Sequence, residues 1–285
     1  MRKVFSVFMT CMLLFGLSSC SKTEEFQAVF NSFHSADNYV LLTHGELVVG
    51  GKHYNRSEIT YDGRNTNIMF LDERGFYSYA LQQSETDIDF LYTTYDTFET
   101  TKIGEDCLPE KIINSFYGDN SFWFRVYDPS STDGVKQIYY RWDTVNKEGY
   151  IVEDVEKSYE YSVDNNRNDV YTFDYVSKGL KHNYLEITDN TTGVKKTIDF
   201  STLKTFKEGK EIAELHIYML FSPRKAYVMG EDIYFTSSVS AGALGDQEYT
   251  YIVKWNFETE ECSLFAYAYF DYYQEWVDDI IILEN

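Results

Sequence analysis

Asp119, Asp169 and Asp232 raise the first question of chemistry, because each opens an aromatic, strand-like run at a matching place in the chain. Carboxylates gathered on one face could serve as acid and base in glycoside cleavage, which needs a pair about 5–10 Å apart. The chain holds 46 acidic residues, so that requirement alone selects none of them. An Asp or Asn before a turn also has a local use. Its side chain accepts from the backbone N–H two residues on and starts an Asx turn. The run Asp164-Asn165-Asn166-Arg167-Asn168-Asp169 sets oxygen donors at alternate positions, as a calcium loop does. It holds Asp169 where that pattern needs glycine and Tyr175 where it needs the closing glutamate, so calcium is a weak reading. The five histidines, at 34, 44, 53, 182 and 216, form no His-x-x-x-His pair, and no Cys-x-x-Cys occurs. Phosphate loops need Gly-x-x-x-x-Gly-Lys and serine hydrolases need an elbow such as Gly-x-Ser-x-Gly; neither is present. These residues imply no cofactor and lean away from catalysis.

Composition narrows the class. The chain has 285 residues, with 25 Lys and Arg against 46 Asp and Glu, for a formal charge of −21. Phosphate binding relies on a basic surface that releases counterions, so nucleic acid is excluded as a partner. Aromatic residues make up 18% of the chain and prolines number three, which does not fit a disordered acidic tail. The length suits one all-β domain with a sizeable core.

The N-terminus reads as an address. Arg2 and Lys3 precede an apolar run from Val4 to Leu17, which is too short to span about 30 Å of hydrocarbon as a helix. The run ends in Leu17-Ser18-Ser19-Cys20. This stretch resembles the lipobox of bacterial lipoproteins: a branched apolar residue, two small residues and a cysteine. The resemblance implies diacylglycerol on the Cys20 thiol and removal of residues 1–19 as a signal peptide. Two or more acyl chains anchor a protein stably without a spanning helix. The chain is therefore expected at the extracytoplasmic face of a cell membrane or outer membrane. Glu24-Glu25 weakly resembles the export signal of Bacteroidetes surface lipoproteins. Residues 20–36 read as a polar, lipidated tether and 37–285 as a single domain. Loss of Arg2 and Lys3 deepens the charge to −23. Cys107 and Cys262 then remain, either as a disulfide or as two separate thiols.

Within 37–285, apolar and aromatic residues alternate in short runs divided by turn residues, the period of half-buried strands. Glu208–Leu220 mixes strand and helix patterns and stays ambiguous. One unit recurs: an apolar or aromatic residue, then Asp or Asn, four to seven turn-like residues, and a return strand. It appears at Tyr61-Asp62, Tyr95-Asp96, Trp142-Asp143, Thr188-Asp189 and Trp255-Asn256, spaced by 34, 47, 46 and 67 residues. Upstream lie Glu46–Gly50, Gly75–Leu81, Ser121–Asp128, Asp169–Val176 and Glu231–Ser237. Gly149 and Gly193 are expected to supply positive φ before their return strands. A four-stranded propeller blade takes about 40–50 residues, so the middle intervals fit, and the outer two require a short blade and an insertion. The units Asp119–Ile151 and Asp169–Ile198 resemble blades of receptor-type, six-bladed bacterial β-propellers. That resemblance implies an all-β, propeller-like fold of about five to six blades, closed if Glu275–Leu283 joins Tyr39–Thr43. A β-sandwich or an irregular β-solenoid is the alternative.

The function expected from these features is a lipid-anchored, non-enzymatic binding or interaction module for a protein or glycan partner. A surface carbohydrate hydrolase or lyase using loop carboxylates is the alternative.

Overall fold

The computed structural model describes residues 37–132, 136–153, 155, 170–177, 183–199, 204–207, 210–214, 226–241, 247–270 and 277–283. The expected signal peptide of residues 1–19, Cys20, the expected tether of residues 20–36, the Asp164–Asp169 run and Asp169 itself lie outside them, as do the side chains of Tyr175 and Cys262.

Strands β1 (Tyr39–Thr43), β2 (Glu46–Val49) and β3 (Lys52–Asn55) begin the first sheet. A hairpin of β4 (Thr60–Tyr61) and β5 (Arg64–Asn65) leads to the second, made of β6 (Asn67–Leu71), β7 (Gly75–Leu81), β8 (Asp87–Thr94) and β9 (Thr100–Cys107). The third sheet is β10 (Ile112–Gly118), β11 (Ser121–Tyr127), β12 (Gln137–Asp143) and β13 (Glu148–Val152). Of the fourth, β14 (Tyr171–Ser177), β15 (Asn183–Asp189) and β16 (Lys195–Asp199) are described. A hairpin of β17 (Lys204–Lys207) and β18 (Lys210–Glu214) follows. The fifth sheet is β19 (Ala226–Met229), β20 (Asp232–Ala241), β21 (Gln247–Asn256) and β22 (Cys262–Phe270). Strand β23 (Val277–Ile282) then returns to the first sheet, pairing antiparallel with β1 from Tyr39↔Ile282 to Thr43↔Val277. Every sheet is an antiparallel meander, and the last strand completes the first sheet. This pairing covers the β1 edge, which an aromatic-rich chain would otherwise leave open.

Side-chain alternation shows why the strands pack face to face. On β11, Phe122, Phe124 and Val126 join Ile88, Phe90 and Tyr79 of the second sheet, while Trp123 faces the other way beside Phe116 and Tyr139. Both faces are buried, so aromatic residues follow one another without a polar interval. Trp142 stacks on Phe90 at 4.1 Å and 18°. A Cβ at Gly104 would collide with the Trp142 ring, so this position on β9 accepts no side chain. A second apolar cluster joins sheets one and two through Val40, Leu42, Ile281, Ile68 and Phe76. A third joins sheets one and five through Leu41, Ile280, Tyr234 and Ile252.

The fourth sheet meets the fifth directly. Tyr171 lies 4.8 Å from Phe257, and Lys196 Nζ donates to the carbonyls of Phe257 at 2.5 Å and Glu258 at 3.2 Å. Lys196 of the outer strand β16 thus reaches the turn that follows β21, while Gly104 of the outer strand β9 meets Trp142 within β12. Hairpin β17–β18 packs through β17 on β22, the outer strand of the fifth sheet. The described residues thus form an all-β, propeller-like arrangement of five larger sheets with β4–β5 and β17–β18 as separate hairpins, and β17–β18 falls in the 67-residue interval, where an insertion is expected.

Two readings of the repeat need correction. Tyr61-Asp62 does not end a blade strand; Asp62 (φ 49°) and Gly63 (φ 73°) form the two-residue turn of β4–β5. The equivalent turn in sheet one is Gly50-Gly51, with φ of 56° and 77°. Turn starts at 50, 96, 143 and 189 then fall 46 or 47 residues apart, with no short blade. Gly193 has φ of 71°, as expected, but before β13 it is Lys147 that takes positive φ. Gly149 is required instead because Tyr140 and Asp106 occupy the space of a Cβ. In the ambiguous segment, the described part is strand β18, whose return after two residues outweighs any helical pattern.

Candidate functional site

The meanders give the ring two ends. In the second, third and fifth sheets the turn end is where the first strand turns into the second and the third into the fourth; in the first sheet it is where β2 turns into β3. At the loop end the second strand joins the third, and one sheet joins the next.

Asp119 and Asp232 both lie at the turn end. Asp119 and Asn120 form the β10–β11 turn with φ of 51° and 52°. The Asp119 carboxylate receives Arg141 NH2 at 3.1 Å, while Arg141 Nε donates to Ser121 Oγ at 2.8 Å and the guanidinium covers Trp123 at 5.1 Å. Asp232 repeats the arrangement in sheet five. Lys254 Nζ lies 2.6 Å from its carboxylate and 5.9 Å from the Tyr234 ring, and Asn256 Nδ2 donates to it at 2.8 Å. Each acid is therefore engaged by a cation of its own sheet, and among the described residues no contact joins the two.

The Asx reading holds at three of the five units. Asp143 Oδ1 accepts from the N–H groups of Val145 and Asn146, both at 2.8 Å. Asp189 accepts from Thr191 at 2.7 Å and Thr192 at 3.1 Å, and Asn256 from Glu258 at 3.0 Å and Thr259 at 2.9 Å. Those backbone donors hold the Asp143 and Asp189 carboxyls below the usual range. Burial would raise Asp232, but hydrogen bonds from Lys254 and Asn256 outweigh it and lower the group.

The loop end is organised by charges from distant parts of the chain. Asp89, buried on β8, receives Arg64 from β5 at 2.5 Å, Lys102 from β9 at 2.8 Å and Gln82 at 3.3 Å. Lys102 also pairs with Glu105. Burial opposes the Asp89 anion, yet hydrogen bonds from Lys102 and Arg64 hold its carboxyl below its ordinary value. This network fastens hairpin β4–β5 to the second sheet. Its sequence signal is an acid inside the apolar run Ile88-Asp89-Phe90-Leu91. In the next sheet, Asp128 accepts from Ser130 Oγ at 2.6 Å and Ser130 N at 2.9 Å and pairs with Lys136 at 3.0 Å. These contacts lower its carboxyl to about 2. Lys111 meets Glu85 at 2.5 Å. Arg56 donates to the carbonyl of Thr43 at 2.9 Å and pairs with Asp278 at 3.4 Å.

Cys107 ends β9 as a free, exposed thiol, which a hydrogen bond to Asp87 pushes up; it belongs to the second sheet and Cys262 to the fifth. His53 Nδ1 on β3 lies 2.6 Å from Glu46 Oε2 on β2. Among the described residues, no three His, Cys, Asp or Glu side chains gather as metal ligands. No helix there is long and apolar enough to cross a membrane.

Sheet order and the closing strand define the class as a propeller-like ring. No protein-family model matches the chain, and no curated protein matches its sequence. Solved structures similar to it include TolB from Acinetobacter baumannii, at 11% identity and TM-score 0.26, covering 79% of this chain and 51% of that one. The chain thus spans about half the length of that structure. An uncharacterized protein from Listeria monocytogenes gives 11% identity, TM-score 0.31 and coverage of 86% and 82%. The WD40 domain of SCAP from fission yeast gives 9%, 0.26 and coverage of 84% and 75%. Superpositions at these scores carry no argument, and the architecture rests on the strand pairing.

Proposed function

We propose that this chain is a lipid-anchored, extracytoplasmic protein whose ring is a rigid, non-catalytic module that binds a protein or glycan partner. The lipobox residues Leu17-Ser18-Ser19-Cys20 support the anchor. The observation that supports the non-catalytic reading is geometric. Asp119 and Asp232, the candidate acids among the described residues, are each engaged by a cation of their own sheet, Arg141 at 3.1 Å and Lys254 at 2.6 Å, and do not meet as the pair that glycoside cleavage needs. Loops locked on a rigid scaffold are a common setting for recognition, which favours the loop end as the binding surface.

Affinity capture from intact envelopes with the anchored protein tests this directly. A specific protein or glycan is expected to be retained. Turnover on a glycan panel that disappears in Asp119→Asn or Asp169→Asn would overturn the reading in favour of a hydrolase. The anchor has its own test: Cys20→Ser is expected to leave the precursor unlipidated and free of the membrane fraction.

A further inference from the structure

The two ends of the domain meet at one place. Leu283 N–H donates to the Asn38 carbonyl at 2.8 Å, and Asn38 Nδ2 returns a bond to the Leu283 carbonyl at 3.0 Å. This clasp lies at the turn end, since Gly50 N–H of the β2–β3 turn bonds the Tyr39 carbonyl at 2.9 Å. Residue 37, the first described residue, therefore lies at the turn end, and the segment from Cys20 must reach that point.

That segment is 17 residues long, so its reach cannot exceed about 60 Å even when fully extended. A seven-residue strand rises about 24 Å, and a domain of this size has a half-width of about 23 Å. To set the loop end against the bilayer, the segment would have to cross the half-width and descend the full height, about 50 Å in all. About five sixths of that reach would be drawn out, and a chain so extended has few conformations left. With the turn end towards the bilayer the same segment spans a short gap.

We infer that the ring stands on its membrane with the turn end towards the lipid and the loop end facing away, open to its partner. The inference rests on the anchor at Cys20 proposed above. Charge sets the stand-off. Asp96, Asp119, Glu258 and Glu260 lie in turns at this end and Asp143 and Asp189 end strands there, and anionic head groups repel such a face. The domain is thereby held beside the lipid and not embedded in it.

Lipidated full-length protein in phosphatidylcholine vesicles carrying a headgroup-linked acceptor dye provides the test. One donor dye is placed by Val145→Cys in the β12–β13 turn, another by Gln83→Cys in the β7–β8 loop, both in a Cys107→Ser background. The unaltered Cys107→Ser protein serves as the labelling control. Both sites are exposed, and matching circular dichroism spectra establish that the variants fold alike. The donor at Val145 is expected to lose most of its emission, and the donor at Gln83 to keep most of it. Equal losses, or a greater loss at Gln83, with protein that still floats with the vesicles would overturn the orientation and leave the anchor standing. Protein that fails to float, like Cys20→Ser, would overturn the anchor and the orientation together.

Discussion

The two ends of the ring are held by different physics. At the turn end, each hairpin is closed by residues within a few positions of one another, such as Asp143 with Val145 and Asn146. Main-chain bonds then tie the two turns of a sheet together: Tyr95 to Arg74, Thr144 to Asn120, Asn190 to Val170 and Phe257 to Glu231. The same device recurs in four sheets. At the loop end, side-chain ion pairs join hairpins, connections and strands instead: Arg56 with Asp278, Arg64 and Lys102 with Asp89, Lys111 with Glu85. No two sheets share that arrangement among the described residues. A repeated local device fixes the scaffold, and individually built connections give one end a surface of its own.

The comparison can be broken at several points. The largest effect is expected from deleting residues 277–285, which removes β23 and exposes β1 and the cores of Leu41 and Val40. The truncated chain is expected to show no cooperative thermal unfolding; a transition at the parent temperature would contradict closure. Phe90→Ala, which empties the place under Trp142, is expected to cost about 3–5 kcal/mol in denaturant unfolding. At the loop end, Asp89→Ala leaves Arg64 and Lys102 facing a gap in a buried site and should cost about 3 kcal/mol. At the turn end, Asn256→Ala loses its turn bonds and the contact with Asp232, and about 1 kcal/mol is expected. A larger loss at Asn256 than at Asp89 would invert the comparison.

The smallest effect is the one that depends on pH. The folded-state titration of Asp89 lies below its ordinary value of 3.8. Its stabilisation is therefore fully present above pH 3.8 and lost as pH falls through the lowered value. Asp128 behaves in the same way between 3.8 and about 2. Unfolding free energy measured from pH 5 downward should fall less steeply in Asp89→Asn than in the parent.

This division decides what could be read from the residues. The aromatic strands β7, β11 and β14, the Asx turns at Asp143, Asp189 and Asn256, and the pairing of β23 with β1 follow from local pattern, since each depends on period, turn chemistry or an edge that needs a partner. Asp62-Gly63 departs from the repeat because a two-residue turn and a blade turn share the same residue types. The need for Gly149 comes from Tyr140 and Asp106, contacts that spacing along the chain does not record. Asp89 left one trace, an acid within an apolar run, but its partners are 25 and 13 residues away, and only the folded ring joins them.

The central claim is that partner binding belongs to the loop end. A photo-crosslinking amino acid placed at Gln83, and separately at Val145, in the anchored protein on intact cells tests it most directly. The account predicts a discrete crosslinked species from Gln83 and none from Val145. The same species from Val145 alone would contradict it.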